Sequence, residues 1–264
     1  MSRRKTIQDF LRKDLTDITK LLCLALNQER EQLFAYPNYE LNDKELDKLD
    51  KLVKDRNDGV PFAYLKGSQG FYELDFIVSP ATLIPRPETE LLIDISLNTF
   101  DSNKKIKALD LGTGSGAIAI TLSEKCPIWE MTATDKSNEA LKIAKLNTHN
   151  EINFYCGDWF DAVPDEKFDL IVSNPPYIDD HDPHLDNLKY EPLEALTSGS
   201  NGLDDIRIII NESPKYLKEG GYLLLEHGFN QQKEIIGLLK ESFFNINTYK
   251  DLNDIDRAVL AQYR

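Results

Sequence analysis

Downstream of residue 87, segments with the apolar spacing of helices alternate with short apolar runs that are typical of β-strands. The predicted helices cover residues 88–98, 116–125, 138–147, 202–217 and 230–242, and the predicted strands cover 106–111, 130–135, 152–156, 168–173, 221–226, 244–249 and 257–262. Such alternation restricts the chain to an α/β fold, in which a mostly parallel sheet carries helices on both faces. Ligands of such folds bind at the carboxyl ends of the strands, so we expect the functional residues there.

The first 60 or so residues have a different pattern. Apolar residues recur there at three- and four-residue steps over residues 11–25 and 46–53, and Gly59 ends the second run, which predicts a small helical bundle. From Pro61 onward, aromatic residues among glycines and prolines predict short strands in a hairpin. We therefore expect a helical bundle over residues 1–70, a β-hairpin connector over 71–87 and the α/β domain over 88–264.

Composition and charge exclude several classes of protein. Apolar residues make up 41% of the chain and charged residues 29%, as in ordinary globular proteins. The longest apolar run, residues 21–26, is far shorter than the about 20 residues of a membrane-spanning helix. Residues 76–264 hold 18 Lys and Arg against 31 Asp and Glu, whereas nucleic-acid-binding domains carry a basic face. We expect a cytoplasmic monomer with no membrane partner and no stable nucleic-acid partner.

Cysteine and metal chemistry are not indicated. The cysteines are widely spaced and form no CxxC pair, which predicts neither disulfides nor a zinc site; they are Cys23, Cys126 and Cys156. Residues 179–184 contain histidines and aspartates, but we interpret them as a solvated acidic stretch and expect no metal. The longer segment 178–201 has prolines, a glycine and no clear period, which predicts a long loop over the site.

A glycine-rich turn links the first predicted strand of the α/β domain to the next helix, in the run Asp-Leu-Gly-Thr-Gly-Ser-Gly over residues 110–116. Glycines let a backbone turn tightly and approach a ligand, although the run also fits a loose dinucleotide pattern. Asp135 ends the next strand, where a carboxylate can accept ribose hydroxyl protons or cap the following helix. Asp110 would repel a pyrophosphate but suits an ammonium group. These features favour S-adenosyl-L-methionine, which has an adenosine, an ammonium group and no phosphate.

The candidate cofactor site extends to the following strands. Asp158 and Trp159 come after the third strand, where the aspartate can accept from the adenine amino group and the indole can cover the ring. Trp159 can equally be a core aromatic residue. The predicted cofactor-binding residues are Asp110, Gly112, Thr113, Gly114, Ser115, Gly116, Asp135, Asp158, Trp159 and Asn174.

The run Asn174, Pro175, Pro176 and Tyr177 directly follows a hydrophobic strand. Two consecutive prolines end the strand and fix the backbone rigidly. The Asn174 side-chain oxygen and the Pro175 carbonyl can each accept one N–H of a planar NH2 group, which aims its nitrogen at a methyl donor, while Tyr177 packs on the flat face of the group. We expect these four residues to be catalytic and substrate-binding.

Residues 110–116, Asp135 and residues 174–177 resemble the class I S-adenosylmethionine-dependent methyltransferases, a Rossmann-like fold, that act on planar amino groups. The whole chain more closely resembles the HemK/PrmC-type glutamine N5-methyltransferases, including residues 61–65 and 83–90 in the connector. The resemblance implies methylation of the side-chain amide nitrogen of the glutamine in the Gly-Gly-Gln loop of peptide chain release factors, which modulates translation termination and yields S-adenosyl-L-homocysteine. It also implies cofactor and substrate roles for residues 112–116, Asp135, Trp159 and residues 174–177.

Several alternatives stay open. A related group methylates a ribosomal-protein glutamine, but its connector tends to contain Pro-Arg-Ser-Pro, whereas this chain has Pro-Arg-Pro-Glu-Thr-Glu. An Asn-Pro-Pro-aromatic turn also serves N6-adenine and N2-guanine nucleic-acid methyltransferases, and a binding protein can keep the fold without catalysis. Arg86 lies between two prolines, where we expect it to contact substrate at the edge of the active site or to form an ion pair that links the domains. We expect the N-terminal bundle to dock the substrate protein.

Overall fold

The structure, a computed structural model, describes residues 5–13 and 15–264. The chain divides into two compact units, Met1–Gly67 and Ser68–Arg264, of which the first is described from residue 5. The first unit therefore ends shortly before residue 70, and the predicted hairpin belongs to the second unit. None of the described helices is both long and apolar enough to cross a lipid bilayer.

The first unit is a bundle of short helices. They are α1 (Ile7–Leu11), α2 (Ile18–Leu26), α3 (Arg30–Ala35), α4 (Asp43–Asn57) and α5 (Phe62–Lys66). Reciprocal capping by Thr6 and Asp9 begins α1, and the same arrangement of Asn42 and Glu45 begins α4. Buried side chains from these helices, including Leu22 and Leu49, form one core.

The apolar period over residues 11–25 extends over two helices, because Asp17 adopts a left-handed φ of 56° immediately before α2. Short strands were predicted from Pro61, but Phe62–Lys66 is helical and ends at Gly67, which has a φ of 79°. Phe62 and Tyr64 are two residues apart, a spacing typical of a strand, and a helix of five residues is too short to show a helical period in the sequence.

The second unit begins with a hairpin of β1 (Ser68–Phe71) and β2 (Leu74–Ile77). The rings of Phe71 and Phe76 are buried and pack edge to face at 6.0 Å between centroids. At its far end, the Ile77 N–H donates to Asn147 Oδ1 at 2.7 Å, and Asn147 Nδ2 donates back to the Ile77 carbonyl at 3.0 Å. The hairpin is therefore fixed to the α/β part of the unit.

A seven-stranded sheet forms the centre of the second unit. Its strands are β3 (Lys107–Leu111), β4 (Glu130–Asp135), β5 (Ile152–Cys156), β6 (Phe168–Ser173), β7 (Leu217–Glu226), β8 (Phe243–Lys250) and β9 (Asp256–Tyr263), in the order β5-β4-β3-β6-β7-β9-β8. All neighbours up to β7 are parallel, whereas β9 pairs antiparallel with both β7 and β8. The predicted α/β class with a mostly parallel sheet is confirmed.

Helices cover both faces of this sheet. They are α6 (Glu90–Thr99), α7 (Ala117–Lys125), α8 (Asn138–Asn147), α9 (Asp204–Glu212) and α10 (Gln232–Leu239). Helices α6 and α7 share one core with Ala108, Leu170 and Leu224, while α9 and α10 share the other with Leu109 and Ile171. Alternate strand residues therefore enter opposite cores, as period-two side-chain direction requires.

The predicted helix over residues 202–217 is too long at both ends. Helix α9 ends at Glu212, because Pro214 cannot continue an α-helical hydrogen-bond ladder, and β7 already begins at Leu217. The segment 178–201, predicted as a loop, contains only short 3₁₀ turns at Pro183–Leu188 and Leu193–Ala195. A parallel bridge between Ile178 and Thr197 closes its base.

Candidate active site

Three functional segments meet at the carboxyl edge of the sheet. The glycine turn follows β3, Asp135 ends β4 on one side of it, and Asn174 follows β6 on the other. The Ser173 hydroxyl donates to the Leu111 carbonyl at 2.7 Å, which ties the ends of β6 and β3 together. The sheet order alone therefore brings these predicted residues to one place.

An open cavity lies in front of the glycine turn. Gly112 and Gly114 line it, whereas Thr113 and Ser115 are buried and outside its wall. A β-carbon at Gly114 would meet no atom within 4 Å, so it would occupy the cavity itself. At Gly116, which has a φ of 86°, a β-carbon would stand 2.5 Å from Ile120 Cδ1, so glycine permits close packing on α7.

Asp110 lies beneath the turn rather than in the cavity wall. It belongs to the strand positions that face α7, and its side chain is completely buried. Its Oδ2 accepts from the Thr113 hydroxyl at 2.6 Å and from the Ala119 N–H at 3.2 Å, while Oδ1 has no partner among residues 5–13 and 15–264. Burial raises the pKa of Asp110 to about 7. In this structure its carboxyl supports the turn and the start of α7.

Asp135 does line the cavity. Its Oδ2 accepts from the Gly114 N–H and its Oδ1 from the Ser137 N–H, both at 2.8 Å. Burial raises the pKa of this carboxyl, and the two N–H donors oppose that effect. The N-cap of α8 is Ser137, whose hydroxyl accepts from the Ala140 N–H, so the alternative that Asp135 caps this helix was wrong.

Asp158 and Trp159, which follow β5, line the same cavity. The indole Nε1 of Trp159 donates to Asp205 Oδ1 at 2.9 Å, which fixes the plane of the ring. A β-carbon on Gly112 would lie 3.4 Å from this ring, so glycine lets the turn pack against the indole. Trp159 also packs against the core below, and the two interpretations of this residue are therefore compatible.

A second cavity lies on the other side of the Asn174 turn. Arg86, Pro175 and Tyr177 line this cavity, and residues from the 178–201 loop complete its wall. Both cavities share the same four residues at their junction, which are Leu83, Asn174, Pro176 and Ala195. A group in the second cavity is therefore separated from the first only by the side chains at this junction.

Hydrogen bonds hold both ends of the turn. Asn174 Nδ2 donates to Thr89 Oγ1 at 3.0 Å, and the Tyr177 hydroxyl donates to Glu226 Oε1 at 3.1 Å. Burial, followed by the negative charge of Glu226, raises the pKa of Tyr177 above its usual range. Neutral Tyr177 is therefore a donor and an apolar surface, and it is not a base.

Sequence reasoning did not identify Thr89, Glu226 or Glu191 as parts of the site. Glu226 is completely buried, and burial raises its pKa to about 7, while hydrogen bonds from Thr89 and Tyr177 and the charge of Arg257 act in the opposite direction. The signal in the sequence was a carboxylate at the end of an apolar run, the same position that Asp135 occupies. The surroundings of Glu226 could not be predicted from the sequence, because β9, which supplies Arg257, enters the sheet out of chain order.

Arg86 forms an ion pair with Glu191. The Glu191 side chain is only 2% exposed, and its Oε2 also accepts from the Ile84 N–H at 3.0 Å. Both residues belong to the second compact unit, so this pair joins the 178–201 loop to the predicted connector and does not involve the N-terminal bundle. Since Arg86 also lines the second cavity, its predicted place at the edge of the site agrees with the geometry.

The residues present fit S-adenosyl-L-methionine. The open side of Gly114 leaves room for a ligand against the backbone, and Asp135 provides carboxylate oxygens beside it. Trp159 offers an aromatic surface, and the wall carries no cluster of Lys and Arg such as a phosphate would require. Fold and site together define a class I methyltransferase that uses S-adenosyl-L-methionine.

Release factor glutamine methyltransferases from Coxiella burnetii and Escherichia coli are 44% and 39% identical to this chain, over 93% and 94% of it and 91% of each relative. The chain belongs to the release factor glutamine methyltransferase family. A protein of the same name from Shewanella oneidensis is 40% identical over 94% of the chain and 88% of its own length. Family models agree, since the methyltransferase small domain matches residues 89–191 and the PrmC N-terminal domain matches residues 8–67.

Solved structures share the fold at low identity. A methyltransferase from Pyrococcus furiosus is 20% identical, with a TM-score of 0.55 over 79% of this chain and 98% of that one. A 16S rRNA methyltransferase from T. Thermophilus, in complex with AdoMet and guanosine, is 18% identical, with a TM-score of 0.57 over 75% of this chain and 50% of that one. At these identities the likeness concerns the fold alone.

Proposed function

We propose that this chain methylates the side-chain amide nitrogen, N5, of the glutamine in the Gly-Gly-Gln loop of peptide chain release factors, and so modulates translation termination. The observation that carries the proposal is the junction of the two cavities at Asn174 and Pro176. A methyl donor against the glycine turn and a planar amide against Tyr177 would meet at this junction. The family to which the chain belongs supports the same substrate.

The Asn174 turn supplies acceptors for a primary amide. Asn174 Nδ2 is engaged with Thr89, so the side-chain oxygen is the atom that remains for a substrate N–H. The carbonyl of Pro175 is a second acceptor, held by the rigid Pro-Pro backbone. Two acceptors on one NH2 group fix the direction of its lone pair and favour the positive charge that develops during transfer.

We propose that Gly112, Gly114, Asp135, Asp158 and Trp159 hold the cofactor, since all five line the first cavity. We assign Thr113, Ser115 and Gly116 to the backbone of the turn, and Asp110 to its support. When bound, S-adenosyl-L-methionine supplies an electrophilic methyl group and leaves as S-adenosyl-L-homocysteine. The substrate nitrogen would take up this methyl group and would then lose one proton to solvent.

This chemistry requires no strong base before attack. The amide nitrogen becomes acidic only after it has gained the methyl group, so its proton leaves through the acceptors or water. Tyr177 and Glu226 are hydrogen-bonded to each other, so these buried groups hold the turn in place. We therefore assign positioning rather than proton abstraction to this part of the site.

We propose further that the protein acts in the cytoplasm as a monomer, without a stable nucleic-acid partner. The N-terminal bundle supplies part of the surface that docks the release factor while its loop enters the second cavity. Arg86 borders this cavity and offers N–H groups to the entering loop, in addition to its ion pair with Glu191.

The test is a methyl-transfer assay with radiolabelled S-adenosyl-L-methionine. The substrates, offered in parallel, are a release factor, the same factor with its loop changed to Gly-Gly-Ala, total ribosomal protein, RNA and DNA. We expect label on the intact factor and none on the Ala variant, which identifies both the reaction and the residue. Label on ribosomal protein alone, or on nucleic acid alone, would overturn the substrate assignment but would not contradict the proposed cofactor site.

A further inference from the structure

Thr89 is the last residue of a 3₁₀ turn, Pro87–Thr89, that runs directly into α6. The N–H of Glu90 already donates to the Pro87 carbonyl within this turn, and the Thr89 side chain makes no capping hydrogen bond. The residue is 5% exposed, so its hydroxyl is nearly shielded from solvent and must find its partners inside the protein.

Those partners lie on the two strands beside the active site. Thr89 Oγ1 accepts from Asn174 Nδ2 at 3.0 Å, at the end of β6. Glu226 ends β7, its Oε2 is buried and has no hydrogen-bond partner within the described residues, and the nearby Thr89 hydroxyl lowers the pKa of this carboxyl. The Glu226 carboxylate is therefore the acceptor toward which the hydroxyl hydrogen of Thr89 can turn.

The geometry at Thr89 favours one orientation of the Asn174 side chain. The NH2 end of the Asn174 amide donates to the Thr89 oxygen, which leaves the hydroxyl hydrogen of Thr89 for the buried Glu226 carboxylate. The reversed amide would take that hydrogen away from the carboxylate, at a cost comparable to a lost buried hydrogen bond.

We infer that Thr89 is a positioning residue for methyl transfer, whose hydroxyl oxygen holds the Asn174 amide in the orientation that leaves the Asn174 oxygen for the substrate. This inference rests on the proposed function, because it assigns the released oxygen to the substrate amide. Glu226 supports Thr89 in this role. Tyr177 donates to the Glu226 carboxylate as well, so the same carboxylate also holds the other end of the turn.

The test compares Thr89→Val with Thr89→Ser in the full chain, with a release factor as substrate. Valine keeps the shape of threonine and removes the hydroxyl, and no helix cap is lost with it. We expect Thr89→Val to lower kcat about 10- to 100-fold, as misplacement of a reacting group does. Its KM for S-adenosyl-L-methionine should stay close to the unsubstituted value, and Thr89→Ser should restore most of kcat.

Thr121→Val is the matched control. Thr121 is a completely buried threonine of α7 whose hydroxyl has no hydrogen-bond partner within the described part of the chain. The Thr121→Val substitution makes the same chemical change in a core outside the site, so we expect kcat to be unchanged.

A double-mutant cycle shows whether Thr89 acts through Asn174. In an Asn174→Ala background, Thr89→Val should cause little further loss, because the group that it positions is absent. Full activity of Thr89→Val, a Thr89→Ser variant as impaired as Thr89→Val, or additive losses in the cycle would each overturn the inference. Failure of the unsubstituted protein to methylate a release factor would instead overturn the proposed function, and the two failures are therefore distinguishable.

Discussion

Gly202 approaches the Tyr177 carbonyl so closely that a β-carbon on it would stand 2.0 Å from the carbonyl oxygen. The same carbonyl accepts a hydrogen bond from Gln231 Nε2 at 2.9 Å, and this side-chain nitrogen also lies 3.1 Å from the carbonyls of Asn201 and Gly202. The end of the substrate turn is thus held against the backbone of a second loop, with no side chain between them.

Gly202→Ala should therefore damage the site. Its φ of 67° is unfavourable for alanine, and the added carbon must displace the Tyr177 backbone. We expect kcat to fall at least tenfold and Tm to fall, measured by the methylation assay and by thermal unfolding. Gly67→Ala is the control, since Gly67 has a φ of 79° but open space around it, so backbone strain there should lower Tm without lowering kcat. Equal kcat losses in both variants would contradict this explanation.

Asp135→Asn should weaken cofactor binding. Both carboxylate oxygens accept hydrogen bonds from backbone N–H groups. An asparagine would therefore place its NH2 group against one of these donors and lose that hydrogen bond. We expect the Kd for S-adenosyl-L-methionine, measured by titration calorimetry, to rise about tenfold or more, the equivalent of 1.4 kcal/mol. Asp161→Asn, at an exposed position near the same edge, should leave Kd unchanged. Unchanged binding in Asp135→Asn would remove this residue from the cofactor site.

Asp110→Asn should change how stability depends on pH. The pKa of Asp110 is raised from 3.8 to about 7, so between these values the folded protein binds a proton that the unfolded chain releases. Stability therefore falls as pH rises from about 4 to about 7, by at most about 4 kcal/mol at 1.36 kcal/mol per pKa unit. The asparagine oxygen can still accept from Thr113 and Ala119, and it carries no charge.

Chemical denaturation of the cofactor-free protein at a series of pH values measures this effect. The free energy of unfolding of Asp110→Asn should decline less steeply across this range than that of the unsubstituted protein. Glu226, whose pKa is also raised to about 7, is present in both proteins and cancels in the difference. Parallel curves for the two proteins would show that Asp110 does not carry the predicted charge penalty.

Arg86→Ala should destabilise the second unit. It leaves the Glu191 carboxylate buried with the Ile84 N–H as its remaining hydrogen-bond donor. We expect a loss of about 1–3 kcal/mol in unfolding free energy, since an unpaired buried charge is costly. Adding Glu191→Gln should recover part of that stability, because the glutamine amide carries no charge. The double variant should not recover affinity for the substrate, since we propose that Arg86 also contacts the entering loop. A double variant less stable than Arg86→Ala would exclude the ion pair as the cause.

The N-terminal bundle should contribute to recognition of the whole release factor. Phe34 and Tyr36 are exposed to 55% and 68%, and aromatic side chains often dominate protein interfaces. Replacing both with serine should raise KM for the factor about tenfold and leave the Kd for S-adenosyl-L-methionine unchanged. Ile128→Ser, an exposed apolar residue of the second unit, serves as the control. If KM does not change, docking by this face of the bundle is wrong.

The positions of the strands along the chain, and the meeting of the glycine turn with Asp135, could be predicted from the sequence. Strands such as 130–135 have apolar runs bounded by turn residues, and local pattern is enough to find them. The glycine turn and Asp135 sit at fixed offsets from those strands, so their meeting follows from parallel topology. The structure places Gly114 and Asp135 within hydrogen-bond distance, as that topology requires.

The support of the substrate turn could not be predicted in the same way. Thr89 lies 85 residues from Asn174 in the chain, and no local pattern indicates that its hydroxyl turns away from its own helix. Asp110 illustrates the opposite difficulty, since its position at the end of a strand suggested a ligand, while period-two alternation directs it under the turn. Long-range hydrogen bonds of single polar side chains depend on packing that composition and periodicity do not encode.

Strand β9 lies between β7 and β8 in the sheet, although β9 follows β8 in the chain. Strand β8 therefore joins the sheet through β9. During folding, β8 therefore cannot be added to the growing sheet before β9, and the two strands must enter as a preformed hairpin or in reverse chain order. Arg257, whose charge acts on both Glu226 and Tyr177, arrives in that same step. A folding intermediate that lacks this hairpin would already contain the glycine turn and Asp135, so we expect competence for the cofactor to precede competence for the substrate.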